Sequence, residues 1–182
     1  RVVTPDVGGG FGMKAFPHPE QGLVLWASRR LGCPVKWVAE RQESFLADDQ
    51  GRDNRARAEL ALDGQGLFLA LKVEAVANLG AYLSAFAPYV PTHSFGTMVG
   101  GLYRIRTIAV SVRGAFTNTA PVDAYRGAGR PEAAYLIERL VDEAARALGL
   151  PPEELRRRNF INALPYRTAF GDVIDSGAFS DV

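Results

Sequence analysis

Near the start of the chain, Gly8-Gly9-Gly10-Phe11-Gly12 packs four glycines into five positions and is followed by Met13 and Lys14. Without Cβ atoms such a run can take left-handed backbone angles and turn successive N–H groups toward one point, which suits an anionic, oxygen-rich ligand. A second segment, Ala124-Tyr125-Arg126-Gly127-Ala128-Gly129-Arg130-Pro131-Glu132, sets two glycines and two arginines ahead of a strongly helical pattern. Guanidinium groups and the free N–H groups of a helix start make a second anion site chemically reasonable. Each segment also has a plainer reading, the first as a tight turn and the second as a strand-to-helix connection with surface arginines.

Two familiar phosphate loops are excluded. A Walker loop needs Lys followed by Ser or Thr, whereas Ala15 follows Lys14. The dinucleotide fingerprint would need glycine at Met13. Other reactive residues are less suggestive. Asp48, Asp49 and Asp53 read as a polar loop, and neither Ser44 nor Ser84 lies in a nucleophile elbow that would recruit His93. His18 and His93 match no zinc spacing. Cys33, the single cysteine, rules out an intrachain disulfide or iron–sulfur ligand set and is expected to be a buried thiol. Trp26 and Trp37 are expected in the core.

The elements that must carry these loops can be drawn from periodicity. A helix is expected from Pro19 to Gly32, with Leu23, Trp26, Ala27 and Leu31 on one face, and a strand over Pro34–Val38. Ala56, Ala58, Leu60 and Leu62 alternate with polar or small residues, Asp63-Gly64-Gln65-Gly66 offers a turn, and Leu67–Ala77 returns as a second strand. Asn78–Gly101 has no clean period and is expected to be irregular with short helices. Tyr103–Val112 reads as a strand whose apolar phase flips; a β-bulge near Arg106-Thr107 would account for this, and a strand whose alternation simply fails would look the same. Pro131–Leu148 is the surest helix, closed by Gly149 and striped by Ala133, Leu136, Ile137, Leu140, Val141, Ala144 and Leu148. A short helix follows Pro151-Pro152, and Arg156, Arg157 and Arg158 in its last turn read as a solvated face. The class is α+β, a mixed sheet with an antiparallel hairpin and packed helices, with a ferredoxin-like arrangement as one candidate.

Composition sets the outer bounds. With 182 residues and 47% hydrophobic content the chain can bury a core, and a net charge of +1 gives no field for nucleic acid. No run is long enough to span a bilayer. Arg1 at the start and the absence of a signal-peptide pattern lead to the expectation that this is an internal piece of a longer, cytoplasmic protein.

Together the two loops resemble the signatures of the molybdenum hydroxylases, the family of xanthine dehydrogenase, aldehyde oxidase and carbon monoxide dehydrogenase. Gly8–Gly12 resembles its GGGFG motif and Ala124-Tyr125-Arg126-Gly127 its A-[FY]-R-G loop. Pro131-Glu132-Ala133 resembles the start of the helix that follows, and Thr117-Asn118-Thr119 and Arg156–Asn159 also resemble the pattern. The resemblance implies that residues 1–182 are an internal part of the molybdenum-cofactor-binding domain of a large subunit. Such a subunit oxidises a small carbonyl, heterocyclic or one-carbon substrate with water as oxygen source. It implies a molybdenum–molybdopterin cofactor of the cytosine dinucleotide form, contacted by Gly9, Gly10, Phe11, Gly12, Arg126 and Gly127. Phe11 and Arg126 would stand nearest the chemistry, and no side chain here would ligate the metal. An FAD-binding medium subunit and an iron–sulfur small subunit with [2Fe-2S] clusters would complete a dimer of heterotrimers.

The departures narrow this. Gly127 stands where carbon monoxide dehydrogenase has a copper-holding cysteine, which argues against a copper centre and against carbon monoxide as substrate. Ala128 and Ala15 stand where purine-oxidising members carry Phe and Glu, which disfavours purines. The AYRGAGR form resembles the carbon monoxide dehydrogenase-like class. Because that family's general-base Glu lies elsewhere in the large subunit, the 182-residue piece by itself is expected to be inactive. The rival readings are a non-catalytic interaction module, whose glycine loops are only turns, and a nucleotide-binding domain.

Overall fold

In the computed structural model, which describes residues 1–179, three strands form the main sheet: β1 (Asn54–Leu62), β2 (Phe68–Gly80) and β3 (Thr107–Phe116). The order is β1-β2-β3, with β1 antiparallel and β3 parallel to β2. The hairpin turn forms where expected because Asp63 organises it: one carboxylate oxygen accepts the N–H groups of Gln65 and Leu67, and Gly66 takes the positive φ that closes the turn.

Among the described residues, only one face of the sheet is covered. Leu71, Val73, Ala75 and Ala77 of β2 point into the core, while Lys72 and Glu74 pair with each other on the open face. Phe68 is buried as well, out of phase with Leu71, because the register shifts opposite Ala61/Leu62 at the hairpin end. A second shift falls between Asn78 and Gly80. The bulge allowed for near Arg106-Thr107 is therefore absent. β3 starts at Thr107, and Tyr103 and Ile105 reach the core from the irregular segment before it, so the phase change marks a strand end.

The covering layer is α3 (Arg130–Leu148), which buries Ala133, Ile137, Val141 and Ala145 at four-residue spacing against the sheet. The helix stops at Gly149, which takes φ +66 as a left-handed cap. Phe95, Val99, Tyr103 and Ile105 fill the space between, from the crossover that parallel pairing of β2 and β3 demands; this crossover contains one π-helical turn, Val90–Ser94.

Helix α4 (Pro152–Asn159) packs against the turn end of the hairpin. Its buried Asn159 accepts the Phe68 N–H at 2.8 Å and donates to the carbonyls of Gly66 and Leu155 at 2.9 Å. The arginines of its last turn are not all solvated. Arg156 bridges to Glu138 and Asp142 of α3 at 2.7 and 2.9 Å, and Arg158 bonds Glu154 and the Gln65 carbonyl. Burial alone would lower the Arg156 guanidinium, but its two carboxylate partners outweigh that and hold it above its ordinary value. Arg157 alone follows the expectation of an exposed residue.

The α+β class holds, with a mixed sheet, an antiparallel hairpin and packed helices. The four-stranded sheet of a ferredoxin-like fold is not completed among the described residues, whose remaining strands are the short pair β4 (Tyr166–Arg167) and β5 (Val173–Ile174).

The N-terminal segment differs from its expectation. Helix α1 (Pro19–Leu31) forms as read, with its Gly32 cap, and α2 (Arg41–Ala47) follows. The expected strand over Pro34–Val38 is extended chain without a ladder partner among the described residues. Trp26 and Trp37 are 65% and 47% exposed rather than core, and Cys33 is exposed rather than buried. The reason is shared: no layer among the described residues lies over the segment from Arg1 to Ala47, none of whose residues is buried.

Candidate functional site at the meeting of three loops

The glycine run leaves extended chain at Val7 and enters a 3₁₀ turn at Met13–Ala15. Gly9 and Gly12 take φ of +113° and +108°, angles that a side chain would strain. Gly12 is also constrained from outside: a Cβ there would lie 2.4 Å from the carbonyl oxygen of Ala124. This close approach brings the second loop against the first. The Arg126 N–H donates to the Phe11 carbonyl at 2.8 Å, so the two glycine-bearing segments picked out by sequence are in direct contact.

A third segment joins them. Gln50 pairs with the strand-like stretch before Ala124, donating to Pro121 and accepting from Asp123, both at 2.8 Å. Gly51 fits against the Tyr125 side chain, where a Cβ would come within 2.6 Å of Tyr125 Cβ. Arg52 lies over the Tyr125 ring at 4.7 Å and donates to the Arg126 carbonyl. The corner is anchored by Asp123, only 2% exposed, whose carboxylate accepts the N–H groups of Phe86 and Ala124. Behind the turn Gly129, at φ +94°, sits so close to Val90 that a Cβ would meet its carbonyl oxygen at 2.6 Å.

Backbone strain marks the same place. Among the described residues, the non-glycine residues with positive φ are Phe11, Arg52 and Ala128, one in each of the three loops. Such conformations persist where surrounding structure over-determines them, and they concentrate at functional sites.

The surface these loops present is chemically uniform. None of the backbone N–H groups of Gly8–Gly12 donates to a protein acceptor among the described residues, and neither does that of Gly127. The Arg126 side chain is exposed and forms no ion pair or hydrogen bond among the described residues, while Phe11 is 49% exposed beside it. Unpaired donors, a free guanidinium and a half-exposed aromatic ring fit an anionic, oxygen-bearing group with a planar portion. Lys14 is turned back onto the Gly9 carbonyl at 3.1 Å and steadies the loop.

The other reactive residues do not assemble into a catalytic group. The Ser84 hydroxyl donates to Asp49, Asp53 accepts from Asn78, and His93 stacks on Tyr89 with ring centroids 4.7 Å apart. Burial, only partly offset by that Ser84 bond, raises the Asp49 carboxyl above its ordinary value. No group of three or more His, Cys, Asp or Glu residues that could hold a metal ion occurs among the described residues. Gln50, Arg52 and Asp123 were not legible beforehand, because a lone Arg in a polar loop and an Asp before Ala124 carry no spacing signal.

Residues 1–160 match the molybdopterin cofactor-binding domain, and the chain belongs to that family. Among curated relatives it is 40% identical to the carbon monoxide dehydrogenase large chain of Hydrogenophaga pseudoflava, over 98% of this chain and 23% of that protein. It is 39% identical to the 6-hydroxypseudooxynicotine dehydrogenase complex subunit gamma of Paenarthrobacter nicotinovorans, over 90% of this chain and 20% of that one. Among solved structures, quinoline 2-oxidoreductase from Pseudomonas putida 86 superposes with a TM-score of 0.91 at 39% identity, covering 97% of this chain and 23% of that one. The chain thus spans about a fifth of the length of the relatives it matches. No helix is long and apolar enough to cross a membrane among the described residues.

Proposed function

We propose that residues 1–182 form part of the molybdenum-cofactor-binding domain of a longer large subunit, and that Gly9, Gly10, Phe11, Gly12, Arg126 and Gly127 face the cofactor. The observation that carries this reading is the Arg126 N–H to Phe11 carbonyl bond, which gathers both donor-rich loops at one surface. When bound, a molybdenum–molybdopterin group would supply oxidation of a substrate carbon with water as the oxygen source. The chain's own contribution is positional: the glycine loop offers backbone donors, Arg126 offers a guanidinium, and the Phe11 ring walls the adjacent space. Phe11 and Arg126 stand nearest the chemistry.

Small flat heterocycles are the favoured substrate class within the wider range of carbonyl, heterocyclic and one-carbon compounds. Relatives named for quinoline and nicotine oxidation support this, as do the exposed Phe11 and Tyr125 rings. The absence of a thiol at Gly127 speaks against a copper-assisted reaction of carbon monoxide.

Relatives named as a large chain and as a complex subunit support further subunits. We assign these as an FAD-binding medium subunit and a [2Fe-2S] small subunit in a dimer of heterotrimers. On the same family resemblance we propose the cytosine dinucleotide form of the cofactor and a cytoplasmic enzyme.

Metal and pterin analysis of the complete enzyme tests the reading, together with Phe11→Ala and Arg126→Ala. Turnover is expected to fall at least about tenfold with folding unchanged, through a lost donor for Arg126→Ala and a lost positioning wall for Phe11→Ala. A complete enzyme without molybdenum, or variants that lose folded protein and turnover in equal measure, would refute it. The isolated 182-residue chain is expected to be inactive.

A further inference from the structure

We propose that Arg52 is a positioning residue that aims the Gly127 amide out of the Tyr125–Gly127 turn; this rests on the reading of that turn as cofactor-facing. The backbone on both sides of Arg126 is pinned, but by different partners. Its N–H is held by the Phe11 carbonyl, and its C=O by the Arg52 guanidinium. In a trans peptide the C=O and the following N–H point in opposite directions. Holding the Arg126 carbonyl toward Arg52 therefore fixes the Gly127 N–H toward the other side, where no described protein acceptor receives it. At φ +90° Gly127 has no side chain to resist a flip of this peptide, and a Cβ there would come within 2.7 Å of Pro131. An external lock is therefore needed to keep one orientation.

Arg52 is itself held for this role. Its own φ of +60° is rare for a residue with a side chain, and its guanidinium lies over the Tyr125 ring. Glu132, in the first turn of α3, stands 3.7 Å from Arg52 Nε with its side chain only 13% exposed. The facing carboxylate oxygen of Glu132 has no hydrogen-bond partner. A buried carboxylate oxygen with a guanidinium just beyond hydrogen-bond range favours keeping that guanidinium in place. Arg52 so connects the polar loop, the turn and the start of α3. Lysine could keep the charge but not the planar fork that serves the carbonyl, ring and carboxylate together.

The test is amide hydrogen–deuterium exchange on the complete enzyme carrying Arg52→Ala, Arg52→Lys or Glu132→Gln, with molybdenum content measured in parallel. Arg52→Ala should speed exchange at Arg126 and Ala128 at least about tenfold, as for the loss of one charge-assisted hydrogen bond. Arg52→Lys and Glu132→Gln should give smaller accelerations at the same amides, and exchange in β2 and α3 should not change. Arg52→Ala should also lower kcat with little effect on KM.

Wild-type exchange at Arg126 and Ala128 in all three variants would overturn the proposal. So would equal acceleration throughout β2 and α3, which would make Arg52 a general stabiliser. A wild-type enzyme without molybdenum would instead remove the cofactor reading and leave the exchange result standing.

Discussion

Two parts of the molecule carry hydrophobic patterning and end differently. From Phe68 to Ile161 apolar residues at strand and helix spacing meet one another, and Leu71, Val73, Ile137, Val141 and Leu155 are sealed from solvent. From Arg1 to Ala47 a weaker apolar pattern produces helices with no buried residue, and Trp26, Leu25, Phe45 and Leu46 stand open. Periodicity thus reports that a face is meant to be covered, not what covers it. The relatives it matches are about five times its length. The three-loop site lies on the seam, with its glycine loop from the open part and its arginine turn from the closed one.

The contrast can be sharpened by substitution. The largest effect is expected at Leu155, where Leu155→Ala empties a fully buried position and should cost about 2–5 kcal/mol in a denaturant titration. A loss below about 0.5 kcal/mol would mean the closed part is looser than it looks.

Asn159→Leu comes next. It leaves the Phe68 N–H and the Gly66 carbonyl without their partner, at a cost of about 2 kcal/mol, and should selectively expose the hairpin turn to exchange.

The Asp49 carboxyl offers a smaller effect with a definite sign. Its folded value is raised, so the fold favours the protonated form, and stability falls as pH rises through the window above its ordinary value of 3.8. Asp49→Asn, which removes that charge, should be no less stable than wild type at neutral pH. The difference should close as pH falls below the ordinary carboxylate range. A gap that widens on acidification would contradict the assignment.

Smallest of all, Trp26→Ser should change the stability of the 182-residue chain by less than about 0.5 kcal/mol, because the ring is mostly exposed. The same change in the complete protein should cost clearly more. Equal effects in both would show that nothing covers this helix.

Much of this was legible in advance, for local reasons. Helix α3 could be read because Pro131, Gly149 and the stripe between them act within single turns of backbone. The hairpin could be read because alternation and an Asp-Gly turn are likewise local. The phase change between Ile105 and Ile108 fits a bulge and a strand end alike, and only pairing to β2 shows that the strand begins at Thr107. The ion pairs of Arg156 leave no mark in local sequence, because its carboxylate partners lie on another helix. In the site, glycines and arginines stand out by composition, but Arg52 holds the Arg126 carbonyl and Asp123 the Phe86 amide, partners distant in sequence that leave no trace in spacing.

Asn159 also sets an order of events. Its bond to Phe68 joins positions 91 residues apart, so the turn end of the hairpin stays unlatched until α4 has been made. During synthesis β1 and β2 can pair early, yet the Phe68 amide has no protein acceptor until α4 leaves the ribosome. A nascent chain halted before that point holds a sheet with a wet end, and the final turn of α4 is the clasp that dries it.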